Sequence, residues 1–320
     1  MATVSQAAPS VGRPPRIEAI PIRHWGRWIS AVVILFVAFA MLWSLWHNPN
    51  VDISTIRHNL FAPYVLRGVV VTIELTIIAM VIGLVGGVLL AVMRLSPNPV
   101  LKTVAWAYIW FFRGTPILVQ ILFWGFVGAL YKNIFVGLPF TGIVFGHAST
   151  SRLIGAFTAA ILALGLNEAA YAAELVRAGI ISVDRGQYEA AHSLGMSGGL
   201  TMRLIVLPQA MRVIIPPMGN ETISMLKTTA LVSVISGTDL MTNIQLAYSQ
   251  NFKTIPLLLV ASIWYLAMTS VMSVGQYYLE RHFGRGFGQK EGEAAEKRAQ
   301  RRADRVLMET KGAPHSGGLR

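Results

Sequence analysis

Six apolar stretches, separated by polar connectors rich in Gly and Pro, set the elements this chain is expected to form. Residues 28–46 are an uncharged run of 19 with tryptophan at both ends, a pattern membrane–water interfaces favour. Residues 64–93 make the second stretch, with Glu74 inside it and Gly83, Gly86 and Gly87 further on. The Gly83-x3-Gly87 spacing lets another helix approach closely. The third stretch opens at Pro116 and runs to about Tyr131, after an apolar and aromatic segment at 100–112 expected as an interfacial helix. Residues 154–177 are the fourth and carry Asn167, Glu168 and Glu174. The fifth lies within 207–235, too long for one straight crossing, and Pro216, Pro217 and Gly219 predict a break or kink there. Residues 255–279 are the sixth. Several of these approach or exceed the ~20 residues a bilayer crossing needs. The expected fold is therefore an all-α polytopic membrane protein of about six transmembrane helices, with loops at 51–63, 132–152 and 237–254.

One connector differs from the rest. Residues 186–208 read GQYEAAHSLGMSGGLTMRLIVLP, a polar, small-residue island between apolar runs. A short helix is expected over 187–194, ending at Gly195, and Pro208 is placed to open the next helix. Such a helix lies at the membrane surface, where a soluble partner can reach it.

Composition agrees with the pattern. The 320 residues are 54% hydrophobic and 13% charged, about half the charge of an ordinary globular domain. Cysteine is absent, which excludes disulfides and thiolate metal sites. The seven histidines are scattered rather than paired at helical spacing, so no metal site is expected. The net charge of +12 fits orientation better than nucleic-acid binding, because cytoplasmic loops collect Lys and Arg. With both termini inside, twenty of the 27 Lys and Arg fall on inner segments and four on external loops. The N-terminal charge and first apolar run resemble a signal peptide. The long core and the Trp46-His47-Asn48-Pro49 sequence after it predict a retained helix instead.

Glu189-Ala190-Ala191, then Gly195, Ile205 and Leu207-Pro208, follow the spacing EAA-x3-G-x9-I-x-LP. With FFRGTPILVQ at 111–120, LNEAAYAAELVRAGI at 166–180 and IVLPQAMRVIIPPMGNETISMLKTTALVSVIS at 205–236, the chain resembles the permease subunits of polar amino acid ATP-binding-cassette (ABC) importers, the histidine/glutamine/cystine type. The resemblance covers about two-thirds of the chain. It implies an importer domain at 64–280 built on five helices, preceded by a tail at 1–27 and an extra helix at 28–46, and followed by a basic tail at 281–320. It implies a multi-pass protein of the bacterial inner membrane that moves a polar amino acid into the cytoplasm. The partners it implies are ABC ATPase subunits, a second permease copy or paralogue, and an extracytoplasmic amino acid-binding protein. Gly186, Glu189, Ala190, Ala191, Gly195, Ile205, Leu207 and Pro208 would be the residues coupling to the ATPase. ATP and Mg would belong to that partner, since this chain has no Gly-x4-Gly-Lys-Ser/Thr loop and no enzyme activity is expected of it. The chain departs from the family at Leu226-Lys227-Thr228-Thr229, where Leu-Lys-Asp-Thr is usual, and at Glu168, where many members have a small or hydroxyl residue.

Charges inside spans are costly and tend to face a bundle interior or a water-filled path. Glu74, Glu168, Glu221 and Lys227 are therefore substrate-path candidates. Glu168 would receive an ammonium, and Lys227 or a helix terminus near Pro216 a carboxylate. The competing reading pairs Glu168 or Glu221 with Lys227 or Arg212 to hold the bundle. Asn167 and Gln120 read as interhelical hydrogen-bond donors before ligands. Arg113 sits at the cytoplasmic mouth, either snorkelling to headgroups or gating. An ion-coupled transporter would show inverted repeats, and a membrane enzyme a catalytic cluster; neither pattern is present.

Overall fold

The computed structural model describes residues 25–137 and 144–283. The chain divides into two units, one ending at Val51 and one beginning at Asp52. The expected tails, through residue 24 and from residue 284, lie outside the described residues.

The first unit holds α1, Trp25–Trp46, whose 22 residues span about 33 Å, enough for the hydrocarbon core of a bilayer. Its apolar side chains are exposed around the helix, Phe36 and Trp28 among them. Near its end the Trp43 and His47 rings lie tilted against each other, with centroids 4.3 Å apart.

The second unit begins with α2, Ile53–Leu60, which occupies the first expected loop. Asp52 caps it by accepting from the Thr55 amide at 3.1 Å. The long helix α3, Pro63–Leu95, starts on a proline in its first turn and stops at Ser96, before Pro97, as the residue ahead of a proline leaves the helical region. Helix α4, Pro99–Gly114, is followed by α5, Ile117–Gly125, bent 98° from it. The short α6, Val127–Leu130, comes next. The third span is thus not one helix from Pro116 to Tyr131: α5 covers only about 13 Å, and a crossing here needs the bent pair together.

The loop at 132–152 contains structure the sequence did not suggest. Strands β1, Asn133–Gly137, and β2, Val144–Ser149, pair antiparallel and lead to α7, Thr150–Leu153. Among the described residues the fold is all-α apart from this hairpin.

Helix α8, Ala156–Ile181, is the enclosed centre of the bundle. Its buried face is mostly small: Ala159, Ala160, Ala163, Ala169, Ala172 and Ala173. It packs along α3, where Gly86 meets Ala169 and Gly87 meets Ala172; a Cβ added to Gly87 would stand 2.5 Å from the Ala172 Cβ. Between membrane helices the lipid supplies no hydrophobic drive, so close backbone packing and hydrogen bonds hold the pair. Tyr108 of α4 contributes one, donating to the Leu166 carbonyl at 2.9 Å.

After α8 come α9, Arg185–Ser193, and α10, Gly198–Thr201. A π turn, Met202–Val206, joins α10 directly to α11, Leu207–Thr228, which runs on as a 3-10 turn, Thr229–Ile235. The fifth span departs from expectation at both ends. Pro208 does not open it, because the helix already starts at Ser197–Gly198. The π turn is the adjustment ahead of the proline: the Leu207 amide donates to the Met202 carbonyl, five residues back, and Pro208 has no amide to continue the ladder. Nor does the helix break at Pro216 and Pro217; it passes through both and tightens only after Thr228.

The backbone then turns through left-handed Ser236 and Thr238 into α12, Leu240–Asn251, capped by Asp239 and filling the last expected loop. Helix α13, Thr254–Phe283, closes the unit. Leu240 and Ile244 of α12 pack with Val65 and Val69 of α3 and Leu257 and Val260 of α13. Polar ties cross the same region: Asn243 Nδ2 donates to the Tyr64 carbonyl at 2.9 Å and Trp264 Nε1 to the Leu60 carbonyl at 2.7 Å.

Among the described residues, α3, α8, the continuous helix Gly198–Ile235 and α13 are each long and apolar enough to cross a membrane, and the bent α4–α5 pair reaches that length only when its two pieces are taken as one span.

Candidate functional site

A cavity of about 480 Å³ opens where the α4–α5 break faces α8 and α11. The break follows from Gly114-Thr115-Pro116. Thr115 is extended because a proline follows it, which frees carbonyls that α4 would otherwise use. Gln120 occupies this gap: its Nε2 donates to the Phe112 carbonyl at 3.0 Å, to the Thr115 carbonyl at 3.2 Å and to Thr115 Oγ1 at 2.8 Å. Asn167 Nδ2 donates to the same Phe112 carbonyl at 3.0 Å and to Gln120 Oε1 at 3.2 Å. Both amides thus fasten the break to α8, as interhelical hydrogen bonding predicts. Asn167 also lines the cavity, whereas Gln120 lies behind it.

Two acids and one base share the lining. Glu168 is 3% exposed, and its Oε1 has no hydrogen-bond partner. Glu221 enters from α11 and Arg113 from the end of α4. The Arg113 guanidinium stands 5.0 Å over the Tyr171 ring, within cation–π range. Among the described residues the ion pairs within 4.0 Å are Arg177–Glu174 and Lys253–Asp52. The expected pairing of Glu168 or Glu221 with Lys227 or Arg212 is therefore not formed.

Lys227 is exposed and away from the cavity. Glu74 lies elsewhere too, on a separate opening of about 850 Å³ with Arg67, Tyr64 and Thr238. In place of Lys227, the cavity's cation is Arg113. Sequence reading missed Tyr171, Ser224 and Thr228 as lining residues. The signal was there: Leu164, Glu168 and Tyr171 lie on one face of α8, and Glu221, Ser224 and Thr228 on one face of α11, at helical spacing.

The stretch at 186–208 forms a second site. Asp184 caps α9, accepting from the Gly186 amide at 2.7 Å. The helix ends where Gly195 takes φ +74°, and the Met196 amide closes back on the Ala191 carbonyl at 3.1 Å. Ala191 is buried, while Gly186, Glu189 and Ala190 are exposed. The two alanines thus have opposite duties, one packing inward and one facing out. Ile205 falls within the π turn, with Leu207 and Pro208 after it. Gln209, which the motif does not include, ties the elements together: its Nε2 donates to the Ile205 carbonyl at 2.9 Å and to Gln187 Oε1 at 3.4 Å.

Residues 83–285 match the family of binding-protein-dependent transport system inner membrane components. The arginine transport system permease protein ArgU of Corynebacterium glutamicum is 48% identical, over 87% of this chain and 86% of that one. A probable amino-acid ABC transporter permease, YckA of Bacillus subtilis, is 35% identical over 69% of this chain and 89% of its own length. Among solved structures, a crystal structure of an amino acid ABC transporter with histidines is similar with a TM-score of 0.60 and 36% identity, covering 72% of this chain and 97% of that one.

Proposed function

The chain belongs to the inner membrane components of binding-protein-dependent transport systems, as a permease subunit of an amino acid ABC transporter, and from that premise we propose that it imports a cationic amino acid. The observation that carries this reading is the charge complement of the cavity: Glu168 and Glu221 against Arg113. A cationic amino acid bears two positive groups and one carboxylate, the mirror of that lining. Its carboxylate would meet Arg113, held over Tyr171, and its two cations the glutamates. Because Glu168 Oε1 is buried without a partner, an incoming cation gains a charge-assisted hydrogen bond and displaces none. Asn167, Ser224 and Thr228 offer neutral hydrogen bonds around the ligand. The transport of arginine by the similar Corynebacterium permease supports the same class.

Energy comes in this reading from ATP and Mg on a separate ATPase. The ATPase docks on the exposed Gly186, Glu189 and Ala190 of α9, and its motion passes through Gly195, Ile205, Leu207 and Pro208 to α11. A second permease copy or paralogue completes the pathway, and an extracytoplasmic binding protein delivers the substrate. The protein sits in the bacterial inner membrane with both termini in the cytoplasm.

Reconstitution into liposomes with an ABC ATPase and a solute-binding protein tests this. ATP-dependent uptake of labelled arginine or lysine, exceeding that of glutamine and cystine, is the expected result. Uptake driven by an ion gradient without ATP would overturn the transport class; equal uptake of neutral and cationic amino acids would overturn the substrate class.

A further inference from the structure

Beside the charged cavity lies another of about 550 Å³, between the end of α3, the length of α4 and the last turns of α8. The two share Arg113, Gly114 and Tyr171, but the second has a different character. Three arginines line it, Arg94, Arg113 and Arg177, against the single acid Glu174. Arg177 is already satisfied: its Nε and Nη2 both donate to Glu174 Oε2, at 2.9 and 2.7 Å. Arg94 is not, for its Nε is buried with no acceptor, an unfavourable state for a charged donor. The recess thus holds three arginines against one acid of its own, and a buried donor without its bond.

The rim says what kind of anion completes it. Trp106 and Trp110 stack nearly parallel with centroids 6.1 Å apart, and both are exposed, at 49% and 66%. They stand on α4, the helix bent 98° from the one that follows. Tryptophans on such a helix mark the headgroup level of a bilayer. A basic recess between helices at that level, roofed by apolar rings, matches a phosphate with acyl chains attached. Arginine in turn matches phosphate oxygens with its planar fork.

We infer that the recess between α3, α4 and α8 binds the phosphate headgroup of an anionic phospholipid, with Arg94 as its main ligand and the Trp106–Trp110 pair against the upper acyl chain. A lipid there would touch Arg113 from the side away from the charged cavity. The inference does not depend on which amino acid is carried.

The full chain purified in a neutral detergent tests it by thermal melting, with short-chain phosphatidylglycerol, phosphatidylcholine or inorganic phosphate titrated in. Phosphatidylglycerol should raise the melting temperature saturably, and phosphatidylcholine and inorganic phosphate should not. Arg94→Gln should weaken the phosphatidylglycerol midpoint about tenfold, the factor one charge-assisted hydrogen bond carries, and Trp110→Ala should weaken it as well. Arg94→Lys, which keeps the charge and loses the fork, should fall between, and it serves as the folded comparison if Arg94→Gln is not recovered. Equal response to phosphatidylcholine, or an unshifted midpoint in both Arg94 variants, would overturn the site. Equal response to inorganic phosphate would overturn the lipid as its occupant.

Discussion

Gly83 of α3 lies so close to Glu168 of α8 that a methyl group in its place would stand 2.6 Å from the glutamate Cβ. The acid of the cavity is therefore set by a glycine on a helix that contributes nothing to the cavity lining. Gly83→Ala must push α3 and α8 apart or turn Glu168, at about 1–3 kcal/mol, the usual cost of overpacking. Thermal melting should show the loss, and transport should fall with it. Gly275→Ala on α13, where an added Cβ meets nothing within 4 Å, should melt no lower than the parent.

Glu168→Gln separates ligand from scaffold. Since Glu168 Oε1 makes no hydrogen bond, removing the charge takes no bond away, and the melting temperature should hold or rise. Transport KM for a cationic amino acid should rise on the order of tenfold or more, as expected for losing a bond to a charged group. A fall in stability with unchanged KM would return Glu168 to a structural role.

Gly195 has φ +74°, a region costing a side-chain-bearing residue about 1–2 kcal/mol, and more when it is β-branched. Gly195→Val should still insert, because the glycine is exposed and an added Cβ meets nothing within 4 Å. It should misdirect the end of α9. ATP hydrolysis by the assembled transporter should then lose its stimulation by substrate. Stimulation at the parent level would remove the loop from the coupling path.

The Asp52–Lys253 pair gives a pH signature. Lys253 Nζ donates to Asp52 Oδ2 at 2.8 Å, and Thr55 and Ser54 donate to the same carboxylate. The ammonium first, then these donors, hold the acid well below its usual 3.8. A depressed carboxylate contributes stability that is complete above its unfolded value and lost as pH falls through the folded one. The melting difference between the parent and Asp52→Asn should therefore be flat from about pH 5 to 8, shrink below about pH 4, and narrow in high salt because the pair is exposed.

Span positions were legible because a bilayer imposes length and apolarity on every crossing, and the end of α9 was legible because Gly195 has the chemistry of a helix stop. The short third span was not: an apolar run from Pro116 to Tyr131 carries no mark of where α5 ends. Pro216 and Pro217 misled for the opposite reason. Proline removes the bond to the carbonyl four residues back, yet membrane helices tolerate it; here α11 is also held beside its prolines by α13, whose Gln276 Nε2 donates to the Pro216 carbonyl at 2.7 Å. Of the site, Asn167, Glu168, Glu221 and Arg113 were singled out and do meet. Lys227 and Glu74 were chosen for charge alone, and charge does not tell which face of a helix a residue occupies.

The unbroken helix from Gly198 to Ile235 makes a rigid lever with its short arm beside α9. Glu221 is 14 residues beyond Leu207, about 21 Å along the axis. Rocking the rod by about 10° at Leu207 would sweep Glu221 through about 4 Å, the full reach of an ion pair. In the proposed coupling, a small displacement at one end is thus enough to move the Glu221 carboxylate toward or away from a substrate cation.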